Sequence, residues 1–159
     1  MKQNTKFTRR ALFMGTGITI LLSALPGTTL RAGDLPVMDV VKTPSCGCCK
    51  VWIDMARASG FEVNVTDTTD YAGMKKDAGV PRRLVSCHTA RIGGYVVEGH
   101  VPFSAIRALL RDRPDIAGIS VPGMPGDSPG MGGKIDAVVP VTAWGGSAGK
   151  GSPFEFEAQ

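Results

Sequence analysis

Residues 37–61 read VMDVVKTPSCGCCKVWIDMARASGF, and the change of pattern inside this stretch sets the fold. Residues 37–42 form a mainly apolar run interrupted by Asp39, which predicts a first strand buried on both faces as in a parallel sheet. From Cys48 onward the spacing becomes helical. Val51, Met55 and Ala58 group with Trp52 on an apolar face, Asp54 and Arg57 face water, and Gly60 is a stop signal. Between the two patterns lies TPSCGCC, where Pro44 and Gly47 suit a tight, exposed turn. Cys46, Cys48 and Cys49 are therefore expected to be accessible at a strand-to-helix turn. Unpaired N–H groups and the positive end of the helix dipole favour a thiolate there, and the thiolate is both the nucleophile and the metal ligand.

Two spacings overlap in this CxCC group. Cys46 and Cys49 make a CxxC, the redox spacing with an attacking and a resolving sulfur. Cys48 is superfluous for disulfide exchange, whereas a soft metal ion gains from each added thiolate. A third reading makes the four cysteines two structural staples, with three connectivities open. The crowding of Cys46, Cys48 and Cys49 makes that a poor framework.

Downstream, residues 61–66 alternate as a strand and residues 67–70 cap a short helix over residues 71–78, which ends at Gly79 before Pro81. The fourth thiol, Cys87, sits beside His88 ahead of a hairpin whose strands, residues 90–92 and 95–98, turn at Gly93 and Gly94. Pro102 opens a last helix in which Ile106, Leu109 and Leu110 share a face. The order βαβαββα predicts an α/β domain, a small mixed sheet with helices on both faces, over residues 33–118. Residues 119–159 read as an irregular Pro/Gly-rich extension. Proline and glycine exclude regular structure over residues 121–133, residues 137–141 are a candidate edge strand, and the chain from Gly145 is expected to be mobile.

Upstream, residues 1–12 are basic and residues 13–25, FMGTGITILLSAL, are apolar but short for a permanent span. Residues 1–32 thus read as an export signal, and Arg9–Arg10 followed by apolar residues resembles a twin-arginine signal. Cleavage is expected near Ala32. Leu30 suits the site poorly, so an uncleaved anchor is the alternative. Five of the 18 basic residues precede the cut, leaving 13 against 14 acidic ones, which is no electrostatic footprint for nucleic acid or a membrane surface. In an oxidising periplasm, free thiols persist only when metal-bound, recycled or catalytic.

The CxCC group, the segment SCHTARIGGYVVEGHVP at residues 86–102, and VPGMP with its second PGM triplet resemble, in that order, a family of bacterial exported metal-binding proteins, the CopG copper-resistance proteins. The likeness spans roughly residues 36–131 and departs after Met131, where GGKIDAVVPVTAWGG does not follow the family. It implies a thioredoxin-like domain with a C-terminal extension, copper binding and the handling of copper redox state. By position, Cys46, Cys48, Cys49 and Cys87 match the family's metal-binding thiols. In such an arrangement the segment carrying Cys87 approaches the CxxC turn. Four converging sulfurs suit Cu(I), and crowding favours a bridged cluster of more than one ion over a single zinc tetrahedron.

A second tier completes the candidate ligand set. His88 adjoins Cys87 and is a ligand or a hydrogen-bond partner of a sulfur. Met124 and Met131, each in a PGM triplet on irregular chain, offer thioethers to Cu(I). His100 reads at least as well as a structural residue. The expectation is a periplasmic, monomeric copper-binding protein, with copper ions and copper-efflux or copper-carrier proteins as partners and no nucleic acid. Zinc is the weaker metal candidate, and a thiol-disulfide oxidoreductase working through Cys46 and Cys49 is the alternative function.

Overall fold

The first strand, β1 (Met38–Lys42), alternates instead of burying both faces. Met38 and Val40 are buried, whereas Asp39 points outward and accepts a hydrogen bond from Asn64 Nδ2 at 3.0 Å. This corrects the doubly buried strand expected from composition. Helices cover both faces of the sheet, but the cover stops short of Asp39. The computed structural model describes residues 35–157, so the export signal at residues 1–32 lies outside the described residues. Among the described residues no helix is long and apolar enough to cross a membrane.

After β1 come α1 (Gly47–Ala58), β2 (Val63–Asp67), α2 (Tyr71–Asp77), β3 (Thr89–Ile92), β4 (Tyr95–Glu98) and α3 (Phe103–Asp112). The extension adds β5 (Gly118–Ser120), β6 (Thr142–Trp144) and β7 (Ser152–Pro153). The seven strands among the described residues form one sheet in the order β2-β1-β3-β4-β5-β6-β7. The parallel pairs, β1 with β2 and β4 with β5, are those joined through α1 and α3, as a crossover requires. The fold is α/β and thioredoxin-like, with the βαβαββα order at its heart.

Side-chain alternation divides the molecule into two layers. Met38, Val40, Ala90, Ile92, Val97 and Ile119 join Trp52, Ile53, Ala56, Phe103, Ile106 and Leu109 of α1 and α3 in the main core. Val96 and Trp144 on the other face pack with Val80 and Leu84, beyond α2. Each fully buried aliphatic or aromatic side chain contributes about 1.5–3 kcal/mol relative to exposure. On α1 the buried stripe is Cys49, Trp52, Ile53 and Ala56, and Val51 is exposed. The face drawn through Val51, Met55 and Ala58 is thus rotated toward Ile53, with Val51 and Ala58 exposed and Met55 half-buried.

Local signals explain the element ends. Asp70 caps α2, its carboxylate accepting from Gly73 N–H at 2.8 Å. The β3–β4 hairpin turns on Gly93 and Gly94 with φ of 56° and 91°, the pair of positive values that a two-residue type I′ turn needs. Helix α3 ends at Arg113, whose φ of 48° gives a left-handed cap ahead of Pro114.

The extension differs most from expectation. The strand forms at Thr142–Trp144 rather than over residues 137–141, although Val139 and Val141 still bury against the main core. The chain beyond Gly145, expected to be mobile, returns as β7 against β6, with Phe154 and Phe156 packed on the core. Pairing to an open sheet edge holds strands of two or three residues that would not persist alone.

Candidate metal centre

The turn after β1 delivers three sulfurs to the start of α1. Cys46 is the N-cap, and its Sγ accepts from Cys49 N–H at 3.3 Å, while Cys48 and Cys49 occupy the first turn. The fourth sulfur arrives on the segment between the short 3-10 turn Arg82–Leu84 and β3. Cys87 Sγ lies 3.0 Å from that of Cys46, 3.3 Å from that of Cys48 and 3.1 Å from that of Cys49. Cys46 and Cys48 sulfurs are 3.6 Å apart, and Cys46 is disulfide-bonded to Cys49. The sulfurs are less accessible than the turn suggested, since Cys49 is fully buried and the other three are partly so.

Two electrostatic environments meet here. The CxCC sulfurs sit at the N-terminal, positive end of the α1 dipole. Cys87 is on the other side of the gap. Burial pushes its thiol up to about 12, the hydrogen bond and charge of Cys48 push the same way, and Lys75 opposes them. At neutral pH Cys87 therefore keeps its proton until something more attractive to sulfur displaces it.

Behind the sulfurs stand two imidazoles. His88 and His100 are fully buried, with ring centroids 5.2 Å apart. Trp52 lies against His88 at 4.4 Å. Both His88 ring nitrogens and His100 Nε2 lack a hydrogen-bond partner, whereas His100 Nδ1 meets the Pro129 carbonyl at 2.6 Å. That carbonyl can only accept, so Nδ1 carries the proton and Nε2 offers its lone pair. Burial lowers the pKa of His88, helped by His100 and Lys75, and burial lowers that of His100, so both rings are neutral at pH 7, the form that ligates metals. The ligand atoms of Cys49, Cys87, His88 and His100 lie within 4.8 Å of one another, as do the four sulfurs. Orphaned buried nitrogens cost about 1–3 kcal/mol each, which argues for an occupant.

His100, which reads from sequence at least as well as a structural residue, has its ring beside that of His88. It lies just past the end of β4, beyond Gly99, and the hairpin folds it back beside the Cys87–His88 segment. The signal was its place at the return end of that hairpin.

The extension closes the site as a strap. Gly123 N–H donates to the Val85 carbonyl at 3.2 Å, and Ser86 Oγ donates to the Gly123 carbonyl. Met124 follows at once and is 56% exposed. Met131 is half-buried in a tight turn, its N–H donating to the Ser128 carbonyl at 3.0 Å. Between them Gly130 crosses the first turn of α1. A Cβ there would lie 2.9 Å from Trp52 N and 3.1 Å from the Cys48 carbonyl oxygen, at a φ of 82°. Gly130→Ala is expected to cost about 1–3 kcal/mol from the left-handed backbone alone and to lift the strap. Thermal unfolding together with the alkylation rate of Cys48 in the reduced protein checks this, and an unchanged rate would mean the strap does not shield that sulfur.

Comparison with known proteins gives a consistent set of likenesses. A family described as "Protein of unknown function, DUF411" matches residues 84–131. A solved structure titled "Copper resistance protein copG- Form 2" is 40% identical, with a TM-score of 0.66, covering 77% of this chain and 98% of that one. Another, titled "Copper resistance protein copG- Form 1", is 39% identical with a TM-score of 0.65, covering 78% and 99%. No curated protein matches the chain.

Proposed function

Since the chain belongs to the CopG family of copper resistance proteins, we propose that it holds copper as Cu(I) on a cluster of the Cys46, Cys48, Cys49 and Cys87 thiolates, in the periplasm after export. The observation that carries this reading is Cys87 Sγ within 3.3 Å of each CxCC sulfur. Soft thiolates select a soft ion, and sulfurs this close can each bridge two ions. His88 and His100 Nε2 are the nitrogen donors at the inner edge, matching their unpaired, neutral state. Met124 and Met131 lie on the strap, and the exposed Met124 thioether suits receiving or passing on an ion rather than anchoring it. Zn(II) would accept four sulfurs, but structural zinc cysteines usually come as two separated pairs.

The test is an anaerobic Cu(I) titration of the reduced protein against a competing chelator, with Zn(II) in parallel. More than one Cu(I) retained per chain is expected, and weak retention would sink the reading. Cys48→Ser is expected to lower the stoichiometry. An unchanged count in that variant would falsify the cluster.

One observation favours a second reading, a thiol-disulfide oxidoreductase. Cys46 and Cys49 are joined, which is the resting state of a CxxC that accepts two electrons. A substrate thiolate would attack one sulfur of this bond, and a second substrate thiol would release the mixed disulfide, leaving Cys46 and Cys49 reduced and the substrate oxidised. Catalytic disulfide exchange by metal-free protein, retained in Cys48→Ser, would favour this activity over copper binding.

A further inference from the structure

The segment that presents Cys87 is gripped from behind by a buried ion pair that the metal site does not use. Glu98, at the end of β4, is fully buried, and its Oε1 is 2.8 Å from Lys75 Nζ on α2. The same Oε1 accepts from Ser86 N–H at 2.6 Å, and Oε2 accepts from the Thr89 hydroxyl at 2.7 Å. Lys75 also donates to Thr89 Oγ1 at 3.0 Å. Ser86 and Thr89 are the residues on either side of Cys87–His88. One carboxylate therefore fixes both ends of the dipeptide that supplies a sulfur and an imidazole.

Net stability is a weak account of the pair. Burial pushes the Glu98 carboxyl up and the Lys75 ammonium down, in each case against the pull of the partner. A buried ion pair of this kind is often replaced by apolar residues at no loss of stability. A geometric role is what remains for it. The carboxylate has oxygens to hold two donors at once, and the ammonium, bonded to both Glu98 and Thr89, fixes which way the carboxylate turns.

We propose that Glu98, oriented by Lys75, is the positioning residue of the centre: it clamps Ser86 and Thr89 so that Cys87 Sγ and the His88 ring face the CxCC turn together. This rests on the copper reading above, and it assigns to the charged pair a function in ligand presentation.

Two neutral double variants separate clamp from charge. In Lys75→Met/Glu98→Gln the amide oxygen still accepts from Ser86 N–H, and the amide N–H₂ donates to the Thr89 hydroxyl. In Lys75→Met/Glu98→Leu both holds are gone, while volume and neutrality are kept. Each reduced protein is titrated with Cu(I) against a competing chelator, with the Cu(I)-thiolate absorption recorded. The Leu variant is expected to bind about 10- to 100-fold more weakly, the loss typical of an outer-shell partner, with an altered absorption band, and the Gln variant to stay near wild type. Wild-type binding by the Leu variant, or equal loss in both variants, would overturn the clamp. If the Leu variant does not fold, Thr89→Val, which removes one hold and keeps the shape, decides. Weaker retention supports the clamp, and unchanged retention overturns it. Failure of the unmutated protein to retain Cu(I) would instead refute the copper reading itself.

Discussion

Cys87→Ser is expected to weaken Cu(I) retention by more than about 100-fold, beyond the 10- to 100-fold that follows loss of an outer-shell partner, while leaving the fold intact. The three CxCC sulfurs share one turn of chain, so removing any of them leaves neighbours on the same side. Cys87 alone closes the opposite side, at 3.0–3.3 Å from all three. Serine keeps the size of the side chain, but its hydroxyl is a harder donor that does not ionise near neutral pH. The change also removes the sulfur whose proton must leave on loading, so uptake by the variant should depend less on alkaline pH. Competition titrations at several pH values check both statements. Retention equal to wild type would remove Cys87 from the ligand set and reduce the centre to the CxCC turn.

Trp52→Ala is expected to cost about 3–5 kcal/mol, the range for losing a large buried aromatic. Trp52 is fully buried, its indole N–H donates to the Val101 carbonyl at 3.0 Å, and its ring packs on Phe103 at 5.3 Å as well as on His88. Alanine leaves a cavity, an unmet carbonyl and an unsupported imidazole together. Such a loss is a large share of a native stability that runs at about 5–15 kcal/mol. Urea unfolding of the reduced, metal-free protein measures it, and Trp52→Phe should recover most of the packing without the hydrogen bond. A loss below about 1 kcal/mol would mean that the site floor does not rest on this ring.

The part of the fold from β1 to α3 was legible because each element is long enough to show a period and is punctuated by Asp70, Gly79, Gly93 or Pro102. What a period cannot reveal is the depth of cover on each face. That is why the apolar run of β1 suggests burial on both faces where Asp39 is exposed, and why the helical period puts Val51 on an apolar face although it is exposed. Strands β5, β6 and β7 are two or three residues long, too short for alternation, and they exist because a sheet edge was there to receive them. The cysteines were legible from spacing and from the fold expected around them. The buried place of His100 was not, because the carbonyl that meets its ring belongs to Pro129, in a proline-rich segment that no pattern directs.

The strap has a consequence for when the centre comes into being. Cys46 emerges from the ribosome well before Ser86, and Ser86 well before Gly123 and Pro129, yet all four stretches meet around one small volume. A growing chain presents the CxCC turn as a bare set of thiols, open to any oxidant or stray ion, until nearly the whole domain has been synthesised. An agent that keeps those sulfurs reduced and empty has its widest access before the Gly123 and Pro129 stretches arrive. In the finished site Cys49 is buried and the other three sulfurs stay partly exposed, so a metal arriving after folding meets only what the strap leaves open.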